Sequence, residues 1–310
     1  MNLSELRYII ALARKRHFGH AAESCHVSQP TLSIAIKKLE NELGIQIFER
    51  SSHEIRITPV GRSVVEHAQT VLESVNAIRQ AAFSGKDQLS TPLRIGAIYT
   101  VGPYLLPDLI INLKELAPNM PLLIEENYTA VLTEKLKQGE LDVILISPPY
   151  EETNILTLPI YEEPFVILLP PEHPLTTRDF LTSRNLKNET ILLLGDGHCF
   201  RDQVLEACPE CLPKTGSTNN QIYTSDGSSL ETIRHMVASG MGLTIVPCTA
   251  ACIDRYSQRL ITIMRFAEPV PKREVALAWR VSFPRPGVVD VLKKAIITSN
   301  LSCIKPLVSS

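Results

Sequence analysis

The stretch SQPTLSIAIKKLENELGIQIFER, residues 28–50, decides the fold of the N-terminal region. Its apolar side chains are spaced by four, three and four positions and so form one stripe on a helix, made of Leu32, Ile36, Leu39 and Leu43. Ser28 can cap this helix, and Pro30 suits its first turn, because a missing N–H costs nothing there. The pattern predicts a helix that ends near Leu43 and leaves its opposite face exposed.

Two shorter helices are predicted before this one. Apolar side chains at helical spacing from Leu3 to Ala13 indicate the first, and the segment from Phe18 to Ser24 indicates the second. A third helix with small polar side chains and a lysine at its exposed N-terminal end is typical of insertion into the major groove of DNA. An ordinary helical bundle is the alternative interpretation.

The exposed end of the third helix supplies candidate contacts with DNA. Gln29 and Ser33 are placed to address base edges. Lys37, Thr31 and Ser28, together with backbone N–H groups, suit phosphate oxygens and would set the register of the protein on the duplex.

The next segment, IQIFERSSHEIRIT at residues 45–58, predicts a β-hairpin wing. Two short alternating runs flank a polar turn in it. Arg50 and Arg56 could reach the DNA from this wing, although a solvated surface arginine is the alternative for each. The candidate DNA-binding residues are therefore Ser28, Gln29, Pro30, Thr31, Ser33, Lys37 and Arg50.

A longer helix is predicted from Pro59 onward. Its apolar residues are spaced by three and four positions and form a seam that consists of Val60, Val64, Ala68, Val71, Val75, Ile78 and Ala82. Such a seam needs a partner, and its place between two domains favours a dimerisation helix over a helix that packs on its own domain. SGKDQLSTP, residues 84–92, then predicts a linker.

These segments together resemble a known family. The stretch at residues 28–50, with HFGHAAESCHV before it and TPVGR after it, is similar to the winged helix-turn-helix and linker helix of LysR-type transcriptional regulators. The resemblance implies a cytoplasmic regulator rather than an enzyme. It implies binding to double-stranded promoter DNA, a dimer through residues 59–83, a homotetramer through the remaining domain, and contact with RNA polymerase.

Composition agrees with a globular protein of two or three domains. The chain has 310 residues, of which 44% are hydrophobic and 21% are charged, and this excludes a disordered or fibrous protein. Residues 1–88 carry 11 basic and 9 acidic side chains, whereas residues 89–310 carry 20 and 24. The mild asymmetry fits a nucleic-acid-binding head on an acidic body. No apolar run reaches the roughly 18 residues that span a membrane, and no secretion signal is indicated.

From Pro92 onward, strand-like and helical patterns alternate and predict a three-layer α/β domain. Ligands of such sheets bind beyond the carboxyl ends of the strands, so we consider Ile98–Val101, Asn127–Thr129 and Gly195–Cys199 together. LysR-type effector domains resemble this arrangement and are periplasmic-binding-protein-like, with a small-molecule cleft between two α/β subdomains. The implied domains are residues 1–58, 59–91 and 92–310, and the subdomains are about 92–160 plus 269–303, and 161–268.

Seven cysteines at irregular spacing favour a reducing cytoplasm in which each thiol needs its own explanation. Cys199 follows a strand and a glycine-rich turn, and it begins a predicted helix. The helix N-terminus, His198 and Arg201 all favour the thiolate, which is the form that peroxides attack. Cys208 lies nine positions later, about 13 Å along an intact helix, so a disulfide with Cys199 would require this segment to refold.

GDGHCFRDQ, residues 195–203, followed by Cys208, resembles the redox segment of OxyR-type hydrogen-peroxide sensors within this family. The resemblance makes Cys199 the peroxide-reactive thiol and Cys208 the resolving thiol, with hydrogen peroxide as the signal, antioxidant genes as the targets and no cofactor. The residues that it places near the peroxide and the thiolate are Thr100, Thr129, His198, Arg201, Asp202 and Arg273. An exposed edge-strand arginine is the alternative for Arg273.

Several alternatives stay open for the cysteines. Cys211 forms CPEC with Cys208 and could resolve Cys199 in its place. A metal site would use His198, Cys199, Cys208 and Cys211, but we expect no metal, because adjacent residues do not easily share one tetrahedral ion. We expect Cys25, Cys248, Cys252 and Cys303 to be buried or incidental thiols.

Two other functions fit parts of the sequence. A LysR-type regulator could respond to a small organic effector in its cleft, with Cys199 merely structural. A thiol peroxidase is the enzymatic alternative, although its helix-turn-helix would then be idle.

Overall fold

A computed structural model describes residues 1–50, 55–83, 88–209, 222–225, 229–251, 260–301 and 303–308. They form two compact units, Met1–Gly85 and Lys86–Ser310. The predicted fold class is confirmed. A winged helix-turn-helix with a long helix comes first, and a mixed-sheet α/β domain with two subdomains follows it.

The N-terminal unit contains the predicted elements in the predicted order. They are α1 (Leu3–Lys15), α2 (Phe18–Ser24), α3 (Gln29–Leu43), β1 (Phe48–Arg50), β2 (Ile55–Ile57) and α4 (Pro59–Phe83). β1 and β2 pair in antiparallel fashion, with Phe48 opposite Ile57, as expected for a wing. The polar turn of the wing, residues 51–54, lies outside the described residues.

Local capping explains where the first and third helices begin. At α1, the Asn2 side chain accepts a hydrogen bond from the Glu5 backbone N–H at 3.0 Å, and the Glu5 carboxylate accepts one from the Asn2 backbone N–H at 2.8 Å. At α3, the Ser28 hydroxyl accepts a hydrogen bond from the Thr31 backbone N–H at 3.3 Å, which confirms the predicted cap.

The apolar stripe of α3 forms the centre of the core of this unit. Leu32, Ile36 and Leu39 are fully buried. Leu43, the fourth residue of the stripe, is 39% exposed, and the helix ends at it as predicted. The chain turns away at Gly44, whose φ of 68° lies in the left-handed region that favours glycine. Only the first three positions of the stripe therefore face the core.

Two close contacts hold the wing to the helices. The buried Glu40 carboxylate of α3 accepts hydrogen bonds from the backbone N–H groups of Ile47 and Phe48, at 2.9 and 3.1 Å. Gly61 of α4 lies so close to Ile47 that a Cβ at this position would collide with the Ile47 carbonyl oxygen. The absence of a side chain at Gly61 thus sets the distance between α4 and the wing.

The apolar seam of α4 is divided between two environments. Ala68 is buried, and Val64 packs against the core of the N-terminal unit. In contrast, Val60, Val71 and Ile78 are 55%, 42% and 69% exposed. The helix therefore packs on its own unit and also leaves apolar side chains uncovered within the chain.

The second unit is built on one large mixed sheet. Its strands are β3 (Leu93–Ile98), β4 (Leu122–Asn127), β5 (Val143–Ile146), β6 (Ile155–Leu169), β9 (Thr244–Pro247), β10 (Thr262–Arg265), β11 (Lys272–Arg280) and β12 (Lys305–Pro306). The strand order is β10-β6-β11-β5-β3-β4, and β9 and β12 also pair with β6. A small parallel sheet joins β7 (Ile191–Leu194) to β8 (Ile222–Ser225).

Helices cover this sheet at both subdomains. They are α5 (Gly102–Leu116), α6 (Thr129–Lys137), α7 (Cys199–Ala207), α8 (Leu230–Ala238) and α9 (Pro286–Ile297). Within the described part of the chain, no helix has the length and apolarity needed to cross a membrane.

Strand β6 connects the two hydrophobic cores of this unit. From Ile155 to Pro164 it pairs with β11, and from Phe165 onward it pairs with β9. The first core surrounds β3, β5, α5 and α9, and the second surrounds β7, α7 and α8. A displacement at the middle of β6 would therefore change the packing of both cores.

We expect the substitution Gly61→Ala to destabilise the N-terminal unit by about 1–3 kcal/mol, because the new methyl group must displace the Ile47 backbone. Thermal unfolding followed by far-ultraviolet circular dichroism, with hydrogen exchange of α4, measures this effect. Ser63→Ala, at an exposed position two residues later in the same helix, is the matched control. Equal stability of the two variants would contradict the role given to Gly61.

Candidate redox site and nucleic-acid interface

Three chain segments meet around one small cavity in the second unit. The cavity is partly open to solvent and has a volume of about 10 Å³. The residues that line it are Ile98, Tyr99, Thr100, Asn127, Tyr128, Thr129, Gly197, His198 and Cys199. They belong to the three segments that the sequence analysis considered together.

The topology of the sheet explains why these segments converge. β3 and β4 are parallel neighbours, so their carboxyl ends lie at one edge and deliver Tyr99 and Tyr128 to the same place. β7 leads through the glycine turn into α7. Gly197 has a φ of 90°, and a Cβ there would lie 3.3 Å from the Tyr128 ring. Both the backbone conformation and the space favour glycine at this turn.

Cys199 is the first residue of α7 and lies where the two subdomains meet. Its half-buried side chain packs against the first core, whereas the next residue, Phe200, is buried in the second core. The peptide N–H groups of the first helical turn have no partner within the helix, and their partial positive charge favours an anion nearby. The thiol is therefore placed where a change in its chemistry would affect the packing of both subdomains.

His198 precedes the cysteine and is 7% exposed. Its ring contacts two aromatic rings, with centroid distances of 4.8 Å to Tyr128 and 5.9 Å to Tyr99. Burial lowers the pKa of His198, so the imidazole is neutral near neutral pH. Near neutral pH His198 therefore adds no positive charge beside the thiol, and its ring packs against the two tyrosines.

The other two charged residues of the motif lie outside the cavity lining. Arg201 forms an ion pair with Asp196, which is exposed in the turn before α7. Asp202 is exposed in the first turn of α7. The structure thus gives Arg201 a role in fastening the turn to the helix and places neither residue against the cavity.

Thr100 is held in the cavity wall by a buried arginine. Arg273 Nη1 donates a hydrogen bond to Thr100 Oγ1, and Arg273 Nη2 donates one to the Thr100 carbonyl, both at 2.8 Å. Arg273 pairs in turn with Glu163, since Arg273 Nε donates to Glu163 Oε1 at 2.8 Å. The arginine and glutamate side chains are 1% and 0% exposed, which rules out the alternative of a surface arginine.

Thr129 offers the cavity an unsatisfied hydroxyl group. It is the first residue of α6, and its Oγ1 is buried without a hydrogen-bond partner among the residues that the structure describes. Buried hydroxyl groups normally find a partner, so this atom is available to a small polar ligand.

Cys208 caps the C-terminal end of the helix that Cys199 begins. It is fully buried in the second core. Since α7 is intact, the two cysteines are separated by about 13 Å of helical rise, whereas a disulfide needs Cα atoms within about 7 Å. Cys211, the alternative resolving thiol, lies outside the described residues.

The remaining cysteines differ from the sequence-based expectation in one respect. Cys248 and Cys303 are joined by a disulfide, so the expectation of two incidental thiols is wrong for this pair. Cys25 is half-buried, packs against the N-terminal core, and has a pKa raised by burial, as a packing thiol would. Cys252 lies outside the described residues. Among the residues that the structure describes, no three His, Cys, Asp or Glu side chains form a group that could hold a metal ion.

Sequence reasoning missed the residues that support the cavity. Glu163 and Phe200 hold Arg273 from two sides, with the Arg273 guanidinium 5.1 Å above the Phe200 ring. Gln203 Nε2 donates hydrogen bonds to Ser147 Oγ at 2.9 Å and to the Pro148 carbonyl at 3.0 Å, and so ties α7 to the end of β5. The one signal for them in the sequence was a glutamate, Glu163, within the mostly apolar segment that forms β6.

The outer face of α3 in the N-terminal unit is open, as a DNA-reading helix requires. The exposed residues are Ser28, Gln29, Pro30, Thr31 and Lys37, while Ser33 is half-buried. Ile34 is 69% exposed on the same helix and was missed because an isoleucine suggests a core position. Arg50 ends β1, and its side chain lies outside the described part of the chain.

Comparison with known proteins identifies the family. Residues 3–62 match the model of the bacterial regulatory helix-turn-helix protein, lysR family, and residues 86–298 match the LysR substrate binding domain. The chain belongs to the LysR family of transcriptional regulators.

Several of its relatives are described as OxyR proteins. The chain is 37% identical to the DNA-binding transcriptional dual regulator OxyR of Escherichia coli, over 96% of this chain and 95% of the relative. Full-length Pseudomonas aeruginosa OxyR carrying C199D is 50% identical with a TM-score of 0.76, over 100% of this chain and 99% of that one. A mutant of Corynebacterium glutamicum OxyR, described as H2O2-bound, is 29% identical with a TM-score of 0.62, over 95% and 91%.

The lowered pKa of His198 predicts a pH effect on this LysR-family protein. The unfolded chain binds the proton with an ordinary pKa of about 6.5, whereas the folded chain resists it. The free energy of unfolding should therefore fall as the pH drops below about 6.5, by at most about 1.4 kcal/mol per pH unit from this group.

Urea unfolding followed by the fluorescence of Trp279, which is the one tryptophan of the chain and lies in the second unit, measures this effect. We expect the difference between wild type and His198→Gln to change below pH 6.5 and to stay constant above it. A difference that is the same at every pH would contradict the proposed burial effect. The exposed His20→Gln serves as the control substitution.

Proposed function

We propose that this chain is an OxyR-type hydrogen-peroxide sensor, in which oxidation of Cys199 changes promoter binding and so regulates antioxidant genes. One observation carries the proposal. The Cys199 thiol lies at a helix N-terminus in a small cavity, together with the unpartnered Thr129 hydroxyl and a Thr100 hydroxyl fixed by Arg273. The hydrogen-peroxide-bound relative supports the same signal here.

The size of the cavity favours peroxide over an organic effector. Pockets for organic ligands usually enclose about 300–1,000 Å³. The cavity at Cys199 offers only about 10 Å³, on a measure by which a single water molecule needs about 10–15 Å³. The cavity is therefore far too small for an organic effector and is on the scale of a ligand of one or two heavy atoms, to which the two threonine hydroxyls could donate and from which they could accept hydrogen bonds.

The chemistry needs only the two cysteines and the peroxide. The Cys199 thiolate attacks one oxygen of hydrogen peroxide, the O–O bond breaks, and a sulfenic acid and hydroxide form. The hydroxide leaves as water after it gains a proton. The Cys208 thiolate then attacks the Cys199 sulfur, so that an S–S bond forms and the sulfenic oxygen leaves as water. The proposal requires no bound cofactor or metal.

The disulfide step would convert this chemistry into a conformational change. Cys199 and Cys208 lie at opposite ends of α7, and Phe200 and Val204 between them are buried. Bringing the two sulfur atoms together requires the turns of α7 to open and these side chains to leave their places. A new packing of the effector domain would follow.

The rest of the chain would transmit that change to DNA. We propose that residues 1–58 bind promoter DNA, that residues 59–91 join two copies through the exposed side chains of α4, and that residues 92–310 sense peroxide. A dimer whose heads change their spacing would meet the two half-sites of an operator differently. A homotetramer, contact with RNA polymerase and action in the cytoplasm complete the proposal.

Oxidation of the full-length protein by about one equivalent of hydrogen peroxide tests the sensor. We expect a peptide that links Cys199 to Cys208, or to Cys211, within seconds, by mass spectrometry after alkylation. Cys199→Ser should abolish the link, Cys208→Ser should leave a trappable sulfenic acid at Cys199 if Cys208 is the partner, and Cys25→Ser should change nothing. The footprint on DNA should also differ between redox states. Slow, scattered oxidation would refute the proposal.

Two substitutions in α3 separate base reading from phosphate binding. Lys37→Ala should weaken binding to all DNA sequences. It should also reduce the slope of log affinity against log salt concentration by about one. Gln29→Ala should cost about 1–3 kcal/mol on the preferred sequence and relax the preference at one base pair. Binding to a selected and a scrambled duplex over a range of salt concentrations distinguishes them. An effect of Gln29→Ala that is equal on both duplexes would contradict its assignment to a base edge.

A further inference from the structure

The disulfide between Cys248 and Cys303 fastens the C-terminal tail to the second subdomain. Cys248 directly follows β9 and begins a short turn, Cys248–Ala251, while Cys303 lies just before β12. Their Cα atoms are 6.1 Å apart, and 55 positions separate them in the chain. Cys248 is buried, but Cys303 is only partly buried, so a small reductant has access to the bond.

Both of the joined segments pair with the same part of β6. β9 pairs with it through Pro247 opposite Phe165, and β12 pairs with it through Lys305 opposite Glu162. The disulfide therefore joins two segments whose attachment points on β6 lie on either side of Glu163 in the sequence. This is the glutamate that holds Arg273.

A continuous chain of buried hydrogen bonds leads from this disulfide to the cavity. Thr249, the residue after Cys248, donates from its hydroxyl to Glu163 Oε2 at 2.6 Å. Glu163 Oε1 accepts from Arg273 Nε at 2.8 Å, and Arg273 Nη1 donates to Thr100 Oγ1 at 2.8 Å. Thr100 lines the cavity that contains Cys199. Each residue of this chain is at most 5% exposed, so water does not compete for the hydrogen bonds.

Arg273 also reaches the reactive helix by a second contact. Its guanidinium lies 5.1 Å from the centre of the Phe200 ring, and Phe200 follows Cys199 directly. A shift of Glu163 would thus move both Thr100 and the first turn of α7. Thr100 and Cys199 both line the cavity, so the two effects act on the same cavity.

We propose that Cys248 and Cys303 are a second redox-active pair, whose disulfide holds Thr249 on Glu163 and thereby sets the reactivity of Cys199. A dithiol opens the pair by giving two electrons and two protons to it, so that the Cys248–Cys303 bond breaks into two thiols and the dithiol becomes a disulfide. One hydrogen peroxide closes the pair by accepting two electrons and two protons from the thiols, which gives two waters. The rate at which Cys199 reacts with peroxide then depends on whether the Cys248–Cys303 bond is closed or open. Because it assumes that Cys199 reacts with peroxide, the inference rests on the proposed function.

Opening of the pair is tested in the full-length protein by the reactivity of Cys199. The two readouts are the rate of its oxidation by hydrogen peroxide and the rate of its alkylation by iodoacetamide. Each reaction is stopped at a series of times, and the products are measured by peptide mass spectrometry. We expect Cys303→Ser, or gentle reduction of the wild type, to slow both reactions about three- to tenfold. Cys25→Ser, in the other unit, is the matched control. Unchanged rates in Cys303→Ser and in the reduced wild type would overturn the inference.

Substitutions of Thr249 test the route of the effect. Thr249→Val should slow Cys199 as much as Cys303→Ser does, whereas Thr249→Ser keeps the hydroxyl and should restore the wild-type rate. The double variant Cys303→Ser/Thr249→Val should be no slower than either single variant, because both act on the same hydrogen bond. Additive losses, or failure of Thr249→Ser to rescue, would overturn the proposed route.

The two proposals fail in different ways. If the wild type forms no Cys199 disulfide with peroxide, the sensor is wrong, while alkylation by iodoacetamide still reports whether the second pair controls Cys199. If peptide mapping without reductant finds no Cys248–Cys303 link before or after peroxide, the second pair is wrong, while Cys199 oxidation remains measurable. Thermal unfolding of each variant, followed by Trp279 fluorescence, shows that the second unit is folded in these measurements.

Discussion

The ion pair between Arg273 and Glu163 is the interaction on which the second unit depends. Both side chains are completely enclosed, so neither charge can be satisfied by water. Removal of one partner from such a pair typically costs about 3–5 kcal/mol, because the other charge is left buried alone. The two residues face each other across β11 and β6, and β6 carries both hydrophobic cores. The pair therefore fixes the junction of the subdomains at the same time as it places Thr100 and the Phe200 ring around the reactive cysteine.

Helix α7 is the element that can respond to a chemical change at this junction. Closure of a loop of about ten residues by a disulfide costs roughly 3 kcal/mol of chain entropy. Removal of a buried phenylalanine such as Phe200 from its core costs about 1.5–3 kcal/mol, and Val204 adds to that cost. The loss of chain entropy and the loss of packing therefore both oppose the refolding of α7. The free energy of oxidising two thiols must offset both costs, which makes the change depend on the oxidant.

The sequence predicted the regular elements well because their causes are local. The Ser28 cap and the spacing of Leu32, Ile36 and Leu39 are sufficient to place α3, and the parallel strand ends are sufficient to bring the three cavity segments together. The failures have non-local causes. The exposure of Leu43 depends on where the neighbouring elements end, and the neutral state of His198 depends on two tyrosines from other segments. Arg273, the partner of Glu163, lies 110 positions away in the chain, and Cys303, the partner of Cys248, lies 55 positions away. No periodicity or motif records such contacts.

The electrostatics of the cavity suit an uncharged ligand. With His198 neutral, the described residues that line it contribute hydroxyl, amide and aromatic groups beside Cys199, and no cation. The nearest buried cation, Arg273, is already neutralised by Glu163 and acts through Thr100 rather than on the ligand itself. A free arginine or a charged histidine would concentrate anions such as chloride or phosphate at the thiol. Oriented hydroxyls on Thr100 and Thr129 instead favour a small neutral molecule that both donates and accepts hydrogen bonds. The absence of net charge thus restricts the ligands of this cavity as much as its size does.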